Sequence, residues 1–204
     1  MTIANYFTFV RIFISPVFLL VYLEHDLFRI SPVALPYVLL ILLGISELSD
    51  AFDGYLARKY DQVTDLGKVL DPMADSISRI SVFLTFTQEP VNIPMFLIFI
   101  FLYRDSVVST LRTVCALKGF VLAARMSGKI KAVIQAVAAF LVLLLMIPHS
   151  LNLLSTEHLH ILGTLIVSAA ACYTVYSGIE YIYGNRGYIN HLLRTKKHLI
   201  SEGE

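Results

Sequence analysis

At 204 residues the chain is long enough for one domain, and its formal net charge of +1 gives no basic surface of the kind nucleic acid requires. Hydrophobic residues make up 57% of it and charged residues only 15%, against about 25% in an ordinary soluble domain. The apolar residues fall in long runs, which points away from a soluble protein and towards a membrane.

The opening stretch, MTIANYFTFVRIFI, lacks the positive region and small-residue cleavage site of a secretory signal and reads as mature protein. Six segments then approach the length of about 20 helical residues that a bilayer demands. They are residues 7–27, 32–50, 70–88, 91–113, 130–149 and 159–183, with soft ends. Helix is required because a spanning backbone must satisfy its own hydrogen bonds. Asn5 could cap a short interfacial helix ahead of the first span, and Pro16 could kink that span. The expected fold is an all-α integral membrane protein of six transmembrane helices, forming a single domain over residues 1–204. Cys115 and Cys172 are isolated and read as packing residues. Tyr22, Tyr37, Tyr103 and Tyr183, near span ends, read as interfacial anchors.

Basic residues orient the chain. Arg58, Lys59 and Lys68 follow the second span. Arg112, Lys118, Arg125, Lys129 and Lys131 surround the connection after the fourth. Arg186, Arg194, Lys196 and Lys197 lie in the tail, and together these are 12 of the 16 Lys and Arg residues. The opposite connections hold only Arg29. By the positive-inside rule both termini face the cytoplasm, which needs an even number of spans. The longer, charged connections place any chemistry at that face. Arg125 and Lys118 read as topology and anionic-lipid contacts, as does the final basic stretch.

Acidic residues are expensive in membrane helices and are usually paired, metal-bound or solvated. Asp50 and Asp53 end the second span, three positions apart on one helix face; Asp71 and Asp75 begin the third, four apart on one face. If the two helices pack as antiparallel neighbours, four carboxylates converge at the cytoplasmic boundary and repel one another. Divalent cations relieve that repulsion, and oxygen-only ligation points to Mg²⁺ or Mn²⁺. Two ions suit four carboxylates. Gly54, Ala57 and Gly67 leave room for a ligand or for close helix packing, and Arg58 stands where it could face a phosphate. From these residues alone a metal-dependent enzyme leads, with a divalent-cation transporter as the alternative of a different class. His149, His158 and His160 cluster near the opposite face without a second metal motif and read as structural.

The pattern Asp50–x2–Asp53–Gly54–x2–Ala57–Arg58–x8–Gly67–x3–Asp71–x3–Asp75 resembles the complete signature of the CDP-alcohol phosphatidyltransferases. The resemblance extends outside it, through Asn5, Thr8 and Arg11, the stretch Arg104–Arg112, then Gly128, Lys129 and Lys131, and last Ser177, Gly178 and Tyr181. These are similar to bacterial members that make phosphatidylglycerol phosphate. The resemblance implies six transmembrane helices, a homodimer, and an active site open to the cytoplasm and inner leaflet of a bacterial inner or plasma membrane. It implies CDP-diacylglycerol as donor and CMP as leaving product. Asp50, Asp53, Asp71 and Asp75 would bind metal, and Gly54, Ala57, Arg58 and Gly67 would line the nucleotide and pyrophosphate site. Asp75 is the candidate base, with Asp71 as its rival.

Three positions depart from the related synthases. Ser76 stands where Lys commonly follows the last Asp, Asp105 where Glu follows the Arg of the fourth span, and Phe7 where Pro is common. Arg79, one turn beyond Asp75, is the candidate replacement for the missing cation. For the acceptor, a phosphate-bearing alcohol favours a basic pocket, for which Arg104, Arg112, Lys129 and Lys131 are the leading candidates and Arg11 and Lys118 stand behind them. Asp105 would offset part of the charge of Arg104. That set suits sn-glycerol 3-phosphate; inositol 1-phosphate, giving a phosphatidylinositol phosphate synthase, is the nearest alternative.

Overall fold

The computed structural model describes residues 3–59, 65–117, 122 and 125–187, with backbone alone at 3–9, 50–51, 53–59 and 65–72. Among the described residues there are six helices and no strand: α1 (Ile3–Leu23), α2 (Leu35–Lys59), α3 (Asp65–Thr85), α4 (Met95–Leu117), α5 (Met126–Ser150) and α6 (Thr156–Gly184). Each expected span falls on one helix. The ends differ where polar residues carry the helix past its apolar run, as at the end of α2 and the start of α3. Helix continuation needs only backbone hydrogen bonds, whereas the apolar run measures contact with lipid. α4 begins at Met95 rather than 91. Asn92 takes a positive φ of 54°, and Pro94 disfavours helical backbone at Ile93.

α1 packs against α2 and α3, α6 against α4 and α5, and α5 meets α2 and α3 between these groups. α5 and α6 are long and apolar enough to cross a membrane, and the parts of α1 and α2 whose side chains are described, Val10–Leu23 and Leu35–Ser49, are apolar too. α3 and α4 fall below that measure because Asp71, Asp75 and Arg79, and Arg104, Asp105 and Arg112, interrupt them.

The bundle is polarised along its length. The main buried apolar cluster comes from the ends of α1, α3 and α5 and the starts of α2, α4 and α6, at one end of an up-and-down bundle, and a small second cluster of Val108, Cys115, Leu122 and Tyr181 lies towards the other end. Phe86 packs edge-on against Phe18 and Phe83, with ring centroids 6.4 and 6.1 Å apart, and Phe83 meets Phe101 at 4.8 Å. Tyr22 belongs to this core and not to the outer surface. It is buried, and its hydroxyl donates to the Gln88 carbonyl at 3.2 Å; Tyr37, Tyr103 and Tyr183 are exposed as expected. The outer faces are apolar too, with Phe13 and Tyr103 each 70% exposed. Such faces suit lipid rather than water.

His149, His158 and His160 make local hydrogen bonds. The Ser155 side chain caps α6 by accepting from His158 N–H, and His149 and His160 bond the carbonyls of Leu154 and Val91 through their ring nitrogens. Cys115 is buried, whereas Cys172 is exposed on α6.

Phe86→Ala should remove the shared aromatic contact at this end and cost about 3 kcal/mol. Equilibrium unfolding in mixed micelles checks it, and native stability of the variant would contradict the assigned role of this cluster.

Candidate functional site

The other half of the bundle is polar inside. Arg11, Ser46, Ser78, Lys131, Gln135, Thr174 and Ser177 are buried there, and polar groups in such an interior must find partners. On α3, Asp75 and Arg79 lie one turn apart and form an ion pair, Arg79 Nη2 to Asp75 Oδ1 at 2.8 Å. The cation expected to replace the missing lysine therefore does reach Asp75. Ser46 of α2 and Ser78 of α3 bond through their hydroxyls at 3.1 Å. This rung sets the register of two helices that run in opposite directions. Counting outward from it, position 50 comes level with position 74, and position 53 with position 71.

Asp50, Asp53, Gly54, Ala57, Arg58, Gly67 and Asp71 are described by their backbone alone, and Lys118 lies outside the described residues. Among the described residues no three Asp, Glu, His or Cys side chains gather into a metal-binding group. Asp75 is the one signature acid whose side chain is described.

The acceptor candidates separate. Arg104 and Lys131 come together on Asp105. Lys131 Nζ donates to both Asp105 oxygens at 2.8 Å, and Arg104 Nη1 donates to Oδ1 at 3.0 Å. Arg104 Nη2 continues to the Ser177 hydroxyl on α6 at 2.8 Å. A methyl group at Gly178 would stand 3.1 Å from Arg104 Cγ, so a glycine there lets the arginine lie flat against α6. Two cations thus share one carboxylate, leaving excess positive charge inside the bundle. Arg112 lies further along α4, where its Nε donates to the Tyr181 hydroxyl at 3.2 Å and its guanidinium sits 5.3 Å from that ring's centroid. Arg11 is buried on α1, while Lys129 is exposed.

Arg125 departs from its expected lipid-facing role. It pairs with Glu180 of α6, which also accepts from Ser127, and so ties the start of α5 to the end of α6. Sequence reasoning passed over Glu180, although an acid within an apolar helix was a signal for a charged partner.

Comparison with known proteins assigns the chain to a family. The family model described as CDP-alcohol phosphatidyltransferase matches residues 1–176. The chain belongs to the CDP-alcohol phosphatidyltransferase family. It is 32% identical over 187 residues to the CDP-diacylglycerol–glycerol-3-phosphate 3-phosphatidyltransferase of Bacillus subtilis, covering 89% of this chain and 93% of that protein. The Rickettsia typhi protein of the same name is 31% identical over 186 residues, covering 90% and 97%. A probable phosphatidylglycerophosphate synthase of Mycobacterium tuberculosis is 29% identical over 184 residues, covering 88% and 79%.

In this phosphatidyltransferase the shared carboxylate makes the stability of the pocket asymmetric. Asp105→Asn would strand two buried cations and should cost about 3 kcal/mol. Lys131→Met leaves Arg104 and Asp105 balanced and should cost less than half as much. Unfolding of both variants in the same detergent checks this, and the opposite ranking would refute the shared-carboxylate account.

Proposed function

We propose that this chain transfers the phosphatidyl group of CDP-diacylglycerol to sn-glycerol 3-phosphate, forming phosphatidylglycerol phosphate and releasing CMP. The observation that carries the choice of acceptor is the buried pair of cations on Asp105, whose excess charge suits a phosphomonoester. The printed activity of the Bacillus and Rickettsia relatives, over about nine tenths of this chain, supports the same acceptor.

In this reading residues 1–204 form one membrane domain that works as a homodimer. Six helices cross a bacterial inner or plasma membrane, with both termini and the active site on the cytoplasmic side. The concentration of Lys and Arg at the polar end of the bundle supports that orientation. Placing a thiol at residue 200 tests it: the thiol should resist membrane-impermeant reagent in intact cells and react after lysis. Labelling of intact cells would reverse the topology.

Asp50, Asp53, Asp71 and Asp75 would hold two divalent cations, Mg²⁺ or Mn²⁺. Their oxygen-only donor set fits such ions, and the Ser46–Ser78 rung supports bringing the backbones of the two acid pairs level. Bound there, the ions supply charge stabilisation at the donor pyrophosphate. Gly54, Ala57 and Gly67 leave space beside the nucleotide, and Arg58 pairs with its phosphates. Arg104 and Lys131 grip the acceptor phosphate, with Arg112, Lys129, Arg11 and Lys118 as the outer basic groups. Asp75 accepts the proton of the acceptor hydroxyl while that oxygen attacks the β-phosphorus. The bond from phosphorus to the CMP oxygen breaks, and CMP leaves with the electron pair. Asp71 is the alternative base.

Donor-dependent CMP release by purified protein, measured with each acceptor separately, tests this function. Glycerol 3-phosphate should be turned over at least tenfold more efficiently than inositol 1-phosphate, and unphosphorylated alcohols should be poor. Asp75→Asn should lower kcat by at least 100-fold with folding retained. Lys131→Met should raise KM for glycerol 3-phosphate about tenfold and leave that for CDP-diacylglycerol unchanged. Turnover only with an unphosphorylated alcohol would remove the case for the cation pocket, and near-native activity of Asp75→Asn would exclude it as the base.

A further inference from the structure

Between α2, α3 and α5, beside the Asp75–Arg79 pair, lies a cleft lined by Leu43, Glu47, Ser78, Arg79, Val82 and Gln135, among others. Arg79 spends only one nitrogen on Asp75. Its Nε and Nη1 are buried and meet no hydrogen-bond acceptor, and its side chain is only 10% exposed. Across the same cleft, Gln135 is 1% exposed, and its Oε1 is buried without a donor.

The orientation of the Gln135 amide follows from its neighbours. The Thr174 hydroxyl donates to the Ala170 carbonyl at 2.8 Å, so its proton is already used. Towards Gln135 it acts as an acceptor, and the amide nitrogen must be the group that reaches it, at 3.2 Å. Oε1 is thereby left as the acceptor whose partner must come from elsewhere. Two orphaned donors and one orphaned acceptor thus line one cleft in a bundle interior. Leaving such groups unmet costs about 1–3 kcal/mol each, and more for a charged one. The space the centre of a water-sized sphere can occupy there is about 10 Å³, which is room for about one molecule.

We infer that a single bound water in this cleft bridges the Arg79 guanidinium to Gln135 Oε1, making Arg79 and Gln135 positioning residues for Asp75. The inference rests on the catalytic reading of Asp75 given above. The bridge runs from Asp75 through Arg79 and the water to Gln135 on α5, and from there through Thr174 to α6. It anchors a side chain of α3 to two further helices. Gln135 also stands one turn from Lys131 on α5, so the proposed base and the proposed acceptor grip share one rigid helix. Neither Arg79 nor Gln135 touches substrate in this scheme; each acts through the carboxylate of Asp75.

The test combines density with kinetics. A structure of the full-length protein at a resolution that shows waters should contain one in this cleft, within hydrogen-bond distance of both Arg79 and Gln135. A dry cleft with the two side chains bonded directly would overturn the bridge. Gln135→Leu keeps the volume and deletes the acceptor. Arg79→Lys keeps a cation beside Asp75 and deletes the forked donors. Each should lower kcat about tenfold per donor-binding site and leave both KM values within about twofold. Because both changes break one bridge, the double variant should lose no more than either alone. Losses that multiply to about 100-fold, or a native kcat in Gln135→Leu, would overturn the positioning role. Should Gln135→Leu fail to fold, Arg79→Lys and the density still decide. Normal turnover by Asp75→Asn would defeat the catalytic reading of Asp75 separately, since the water in the cleft is read by density without it.

Discussion

Two cations and one carboxylate meet inside this bundle, and the arrangement of α4, α5 and α6 depends on their balance. Lys131 reaches both oxygens of Asp105, and Arg104 takes one of them before passing on to Ser177. Each helix contributes a group that would be costly to bury alone. Together they hold a surplus of positive charge away from bulk water, where it acts more strongly on a bound anion than the same charge would at a surface. The acceptor site proposed above would use this interior, whose charge has the sign that a phosphorylated ligand needs.

The apolar half makes that concentration of charge tolerable. Association of helices in lipid draws on packing rather than on exclusion of water. The interlocked rings of Phe18, Phe83, Phe86 and Phe101 hold α1, α3 and α4 together at one end. α3 then runs from this anchored end to the polar end, carrying Asp75 and Arg79 on its way. Ser46–Ser78 is the rung at which α3 is tied to α2, just where packing gives way to hydrogen bonding. Fixing the far end of α3 thus limits how far its acidic end can drift.

Much of this was legible in the sequence, for reasons that also mark its limits. The six helices follow from runs of apolar residues, a signal that survives without knowledge of neighbours. The ion pair of Asp75 with Arg79 follows from helical spacing, and the partnership of Asp105 with Arg104 from adjacency. Tyr22 was misplaced because helices that are apolar nearly all round carry no mark of which face turns inward. Gln135–Thr174 and Arg125–Glu180 join residues far apart in sequence, and nothing local to either partner names the other. Lys131 was picked out for its charge, but its sharing of Asp105 depends on how α4 and α5 pack. The acid signature was the clearest feature of the sequence, and three of its four acids are described by their backbone alone.

The polarity of the interior also separates the two classes of function that the acids alone leave open. A carrier for divalent cations needs polar groups along a path through the whole membrane. Here the described buried side chains of the far half are almost wholly apolar; Ser15 and Thr85, the exceptions, bond back to the Arg11 and Ser81 carbonyls of their own helices. The polar half, moreover, buries Arg11, Arg79, Arg104 and Lys131, a set that repels a cation moving past the acids. This favours the phosphatidyl transfer proposed above, in which the signature acids would hold ions in place while anionic substrates come and go from one side, over transport.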